Sequence, residues 1–282
     1  MEKLIFYTNS YDDIIESMSV ISGCSVNSIK TWLKQSQPFI NTSESDIKLN
    51  SFFKKIGIKF TGNNELYEII KFNSCVISHL TTRIRQPDKL DIYCLIKALS
   101  MPTDISNFLA SKGLIFKKTA QGLATYYENK IVDWNDYDNY STARIKVRLR
   151  VKDKYIDNCI NGFLFNDLIW KDSNVRHIKD CPEIVSDICE VLKIEEIVHE
   201  WNNISKPYVV GFLAEVKDII FDKTRLKTTK SKIYLIYKYA IYYLVQCYHG
   251  IWNPIFDNQM VRLHDNCSVD KKSIVGFYEI EG

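Results

Sequence analysis

The sequence predicts an α+β protein in which a helical N-terminal region precedes a mixed, mostly antiparallel sheet with an inserted helical layer. Three observations lead there. The chain opens with two helix-spaced apolar patterns set around Gly23, apolar runs suited to strands begin at Cys75 and after Pro207, and the stretch between them has apolar residues at helical intervals. The expected domains are a helical N-terminal domain over residues 1–70 and an α+β domain over 71–282 with a helical insertion at about 155–206.

In order, residues 11–33 give one amphipathic helix, then Gly23, then Ser25 as an N-cap before Val26, Ile29 and Trp32. Two short helices around a glycine resemble a helix-turn-helix, with Asn27, Ser28, Lys30 and Lys34 toward DNA, but the pattern is short and permissive, and an ordinary helical hairpin is the preferred reading. Residues 36–50 are polar with one proline and read as a linker, and 51–71 return to helix or mixed structure. The central stretch is 72–118. Cys75, Val76 and Ile77 form a buried strand that reaches Ser78, His79, Leu80, Thr81 and Thr82; a helix is expected from about Asp88 to Leu99. Thr103 or Asp104 caps a second helix that buries Ile105, Phe108 and Leu109 and ends at Gly113.

Residues 120–139, rich in Gly, Asn, Asp and aromatics, read as a long loop beside a site. The next ten residues, ARIKVRLRVK, alternate: Ile145, Val147, Leu149 and Val151 face one way, and Arg144, Lys146, Arg148, Arg150 and Lys152 the other. That pattern predicts a strand whose basic face contacts nucleic-acid phosphates or serves as a solvated edge. Pro207 introduces a strand over Tyr208–Val216 broken by Gly211, Lys230–Tyr248 is a helix apolar nearly all round, and Met260–His264 and Ser273–Ile280 close the chain as two strands joined in a hairpin by a turn at 265–272.

At 282 residues and 46% hydrophobic, the chain can bury a substantial core. Its 37 basic and 34 acidic residues are too balanced for composition alone to imply nucleic acid or an anionic membrane. The eight cysteines contain no CxxC pair, so no metal is expected, and with no secretory-type N-terminus they point to reduced thiols in a cytoplasm. The most apolar segment, Ile233–Val245, is interrupted by Lys238 and too short to span a bilayer. GxGxxG, Walker A, GxSxG and HExxH patterns do not occur.

A strand ending in the His-x-Thr of His79, Leu80 and Thr81, a downstream tyrosine-bearing segment and a closing NQMVRLHDNCSVDKKSIVGFYEI together resemble the ADP-ribosyltransferase superfamily, in its His-Tyr-Glu branch. The resemblance covers residues 72–282. It implies NAD as substrate, with His79 bonded to a ribose hydroxyl, Thr81 supporting that pocket, and Tyr126 or Tyr127 stacked on the nicotinamide. The third residue of the motif maps by position to Gln259, an amide where the family usually has Glu, with Glu279 and Glu281 as the other candidates. A neutral amide stabilises a developing cation less than a carboxylate does. The implied acceptor is nucleic acid or a protein, in a toxin or defence setting.

Two other classes fit the same residues. One is a non-enzymatic nucleic-acid-binding regulator using the hairpin at 12–34 and the basic face at 144–152. The other is an interaction protein whose aromatic surface binds a protein partner.

Overall fold

The computed structural model describes residues 4–40, 43–149, 158–171, 179–221 and 226–281. It is α+β, with helices throughout and sheets that are mostly antiparallel.

The N-terminal helices form as their caps dictate. After a short strand β1 (Ile5–Phe6), Ser10 accepts a hydrogen bond from the Asp13 amide and starts α1 (Tyr11–Ser22), which Gly23 ends in the left-handed conformation at φ 71°. Ser25 repeats the capping move for α2 (Val26–Gln35), which buries Ile29 and Leu33. Helices α3 (Leu49–Lys55) and α4 (Asn63–Ile70) follow. The buried strand then appears as β2 (Ser74–Arg83).

The helix expected over 88–99 is broken. Ile92–Tyr93 forms a strand, β3, and only α5 (Leu95–Ser100) is helical. Apolar spacing favoured a helix, but pairing of Ile92 and Tyr93 with Val269 and Ser268 overrode it. Thr103 caps α6 (Asp104–Ser111) in a capping box with Ser106, and Gly113 follows it at φ 80°.

The expected loop at 120–139 is largely a β-hairpin. Strands β4 (Leu114–Lys118), β5 (Leu123–Tyr127) and β6 (Lys130–Ile131) form one antiparallel sheet, with Glu128 and Asn129 at positive φ in the tight turn between β5 and β6.

The expected basic strand is a helix, α7 (Tyr140–Arg148), capped by Asn139. Thr142, Ile145 and Leu149 are buried at intervals of three and four, so the helical period wins over the alternation. Arg150, Val151 and Lys152 lie outside the described residues.

The helical reading of about 155–206 is met only in part: Asn161–Phe163 is a strand, β7, paired with β2, whereas α8 (Glu183–Leu192) and α9 (Glu196–Ile204) are helices. β8 (Lys206–Glu215) runs unbroken through Gly211. After β9 (Ile220–Phe221), the aromatic helix forms as expected as α10 (Thr229–Tyr248). A short α11 (Pro254–Asp257) leads to β10 (Met260–Arg262), β11 (Ser268–Val269) and β12 (Ile274–Glu279). The two closing strands do not make the expected hairpin, because β10 pairs with β9 and β12 lies beside β8.

The chain forms two compact units, neither continuous in sequence. The first comprises Met1–Ser78, Gly162–Asp172 and Gly211–Arg262; the second comprises His79–Asn161, Ser173–Val210 and Leu263–Gly282. Residues 1–70 all belong to the first. In that unit β1 pairs parallel with β2, and the remaining strands order as β8, β2, β7, β10, β9. Its core gathers Phe6, Phe53 and Phe72 around Tyr237 of α10, with ring centroids 5.2–5.8 Å from that tyrosine. Such edge and tilted contacts account for part of the aromatic content by packing. In the second unit α5–α9, β4 and β5 enclose a core that includes Leu109, Leu114, Ile145, Val185, Ile188 and Trp201.

Candidate functional site

Within the second unit, the C-terminal half of β2 forms one wall of a cavity of about 310 Å³. His79, Thr81 and Arg83 sit two residues apart along the strand, which turns them to one face, and all three line the cavity. Asp91 and Tyr93 of the β3 segment, Thr103 and Asp104 at the start of α6, Trp201 of α9, and Lys271 complete much of the lining.

His79 is held by one strong contact: Nδ1 lies 2.7 Å from the backbone oxygen of Asn161, which accepts its proton. Burial pushes the imidazole down from 6.5 to about 4; the Arg83 cation adds to the drop, and the Asn161 bond opposes it. The ring is therefore neutral at pH 7, with the proton on Nδ1 and Nε2 left as an acceptor. Thr82, in the same strand, accepts a 3.1 Å bond from the indole nitrogen of the fully buried Trp201, which ties the strand to α9.

Arg83 is a buried cation, 8% exposed, whose guanidinium donates to the Leu90 carbonyl at 3.3 Å. Burial lowers its pKa, and the Asp104 and Asp91 carboxylates act against that. The two acids are held differently. Asp104 is clamped by Arg85, whose Nε and Nη2 lie 2.8 and 2.6 Å from Oδ1. Asp91 accepts from the Tyr93 hydroxyl at 3.1 Å and the Lys271 backbone amide at 2.9 Å, with no ion pair among the described residues. Asp91 is thus fixed in the wall, where its carboxylate also acts on the Arg83 cation, and burial together with this acid raises the Tyr93 pKa.

The structure brings together His79 and Thr81 and leaves the other expected site residues elsewhere. Tyr126 is on β5 under the ammonium of Lys117, 4.7 Å from the ring centroid. Tyr127 packs against the core of the second unit. Gln259 is buried in the first unit, where its side chain donates to the Met260 carbonyl and its backbone oxygen accepts from Leu164 at 2.9 Å. None of the three lines the cavity. Glu279 is ion-paired with Lys206 at 2.9 Å.

The expected phosphate-binding face is also committed to other partners. Arg144 bridges Glu183 at 2.5 Å and Asp187, Arg148 meets Glu183 at 2.6 Å, and Lys146 is half-buried on the same helix. The cations at 144 and 148 and the acids at 183 and 187 each recur at i,i+4, so α7 and α8 meet along matched charged faces.

Sequence reasoning missed Arg83, Asp91, Tyr93 and Asp104. The signal for Arg83 was present, since the alternation that carries His79 and Thr81 continues to it. Asp91 and Tyr93 were masked by the helix expected across them.

Among the described residues no helix is long and apolar enough to cross a membrane, and no cluster of His, Cys, Asp or Glu could hold a metal ion. No family model, no curated protein and no solved structure matches the chain.

Proposed function

We propose that this protein is an ADP-ribosyltransferase-like enzyme that binds NAD in the His79 cavity. The observation that carries the reading is His79 itself: a neutral imidazole at the end of a buried strand, oriented through Nδ1, with Nε2 free to accept from a ribose hydroxyl inside a ligand-sized cavity. The volume sits at the small end of the roughly 300–1,000 Å³ usual for ligand pockets. That suits the nicotinamide riboside half of NAD, with the rest of the dinucleotide reaching outward.

In this reading Tyr93 replaces Tyr126 and Tyr127 as the ring beside the nicotinamide, and Asp91 replaces Gln259 as the source of negative potential. The bond between the nicotinamide nitrogen and ribose C1′ breaks, its electron pair leaving with the nicotinamide. The acceptor's nucleophilic atom then bonds C1′ and gives up its proton to solvent or to a basic group. A carboxylate fixed beside C1′ favours the cationic transition state over the ground state, where an amide would do less. The acceptor is a nucleic acid or a protein, in a toxin or defence setting.

The test is thermal melting with and without millimolar NAD. Ligand at about 100 times its dissociation constant adds about 2.7 kcal/mol, which raises the melting temperature by several degrees at this size. The shift is expected in the wild type and lost in His79→Ala. No shift in the wild type refutes the reading.

A further inference from the structure

Independently of the His79 cavity, we infer that the outer face of α2 is a docking site for duplex DNA. The observation is a groove of about 500 Å³ between α2 and α3 in the first unit, lined by Asn27, Ser28, Thr31, Trp32, Gln35 and Lys55. Its composition is selective: hydroxyls, amides, one cation and one indole, with no carboxylate.

The charge of the two helices points the same way. α2 carries Lys30 and Lys34, α3 carries Lys54 and Lys55, and neither contains an Asp or Glu. Lys30 is drawn to Asp12 at 3.7 Å and Lys54 lies over the Phe60 ring. Lys34 and Lys55 are exposed and have no side-chain partner among the described residues. Asn27, Thr31 and Gln35 are likewise exposed and unpartnered, while the Ser28 hydroxyl is bonded to Ser25 at 2.9 Å. A stable protein surface usually pairs or intersperses its charges; here Lys34, Lys55 and the amide donors share one face, with no acid paired to either lysine among the described residues.

That face is mounted rigidly. Ile29 and Leu33 anchor the opposite side of α2 in the core, and Trp32 stands edge-on to Phe52 with centroids 4.7 Å apart. Ser25 and Gly23 fix the turn before the helix. A ten-residue helix is about 15 Å long, and the major groove of duplex DNA, about 12 Å wide, admits one. Asn and Gln are the side chains that bond adenine in a bidentate way, and Asn27 and Gln35 lie on the exposed surface of α2 with Thr31 between them. Lys34 and Lys55 then reach phosphates, each contact releasing about one counterion.

The experiment is fluorescence anisotropy of a labelled duplex DNA of about 20 base pairs, titrated with the full chain from about 50 to about 200 mM salt. The wild type is expected to bind with an affinity that falls steeply over that range. Lys34→Glu/Lys55→Glu is expected to weaken binding at least tenfold at the lowest salt and to reduce the salt slope by about 2. Lys118→Glu/Lys130→Glu, an equal charge change at exposed sites of the second unit, controls for net charge and is expected to bind like the wild type. The inference is overturned by absence of binding at the lowest salt, by equal losses in the two variants, or by tighter binding of single-stranded DNA or duplex RNA than of duplex DNA. Both variants replace exposed side chains, and a matching far-ultraviolet spectrum and melting temperature establish that each is folded.

Discussion

The neutrality of His79 has a consequence for stability that can be measured without any ligand. Its folded pKa of about 4 lies below the 6.5 of a free imidazole, so the unfolded chain binds more protons wherever the pH lies between the two. Stability conferred by the neutral ring is complete above about pH 6.5 and is lost as the pH falls toward 4. A shift of that size corresponds to at most about 3 kcal/mol, and because the residue is partly open to the cavity the expected loss is about 1–2 kcal/mol. His79→Gln removes the titration while keeping an amide that can donate to the Asn161 carbonyl. Urea denaturation of both proteins at intervals from pH 7 to pH 4.5 isolates the term, since every other titrating group is common to the two. The wild type should lose about 1–2 kcal/mol more than the variant across that interval. Parallel stability curves would refute the account of a desolvated, neutral histidine.

Three further substitutions probe the frame around the site. Arg144→Ala leaves Asp187, whose side chain is 4% exposed, without its cation, so urea melts should show a loss of about 2–4 kcal/mol, against less than about 0.5 kcal/mol for Lys146→Ala. A Cβ on Gly162 would lie 2.6 Å from the Ile77 side chain and 2.8 Å from the Ser78 carbonyl oxygen, so Gly162→Ala should cost about 1–3 kcal/mol by the same measurement. Thr82→Val strands the indole N–H of Trp201 in the core, and a loss of about 1–3 kcal/mol with a changed tryptophan emission maximum is expected.

What the sequence revealed was mostly local. Ser10, Ser25 and Thr103 cap the helices that follow them, Gly23 ends α1, and the all-round apolar pattern of α10 marked it as core before any contact was known. The errors have a common physical origin, in that distant partners decided between two local patterns. ARIKVRLRVK alternates like a strand, but its apolar residues also recur at helical intervals, and the acids of α8 reward the helix that places Arg144 and Arg148 on one side. Ile92 and Tyr93 have helical neighbours on both sides and become a strand because Ser268 and Val269, far along the chain, pair with them. The hairpin at 123–131 was only half readable: Asn129 suits the positive φ that its tight turn requires, but Glu128, which shares that conformation, does not signal it.

The site divided in the same way. His79 and Thr81 were legible because strand alternation is local. Arg83 follows from the same alternation, but Asp91, Tyr93 and Asp104 are brought to the cavity by β3, α6 and the 271 region, whose meeting no spacing rule encodes. Gln259 does not line the cavity, and its assignment by position rested on a closing hairpin that the strand pairings do not make.

The central claim is that the His79 cavity cleaves NAD with Asp91 as its carboxylate. Its most direct test is release of nicotinamide from millimolar NAD, followed by liquid chromatography, for the wild type, His79→Ala and Asp91→Asn. The account predicts release by the wild type, none by His79→Ala, and a loss of at least about a hundredfold in Asp91→Asn that leaves the NAD-induced melting shift in place. Undiminished release by Asp91→Asn would contradict the assignment of the carboxylate, and no release by the wild type, with or without a cell extract as a source of acceptor, would contradict the enzyme.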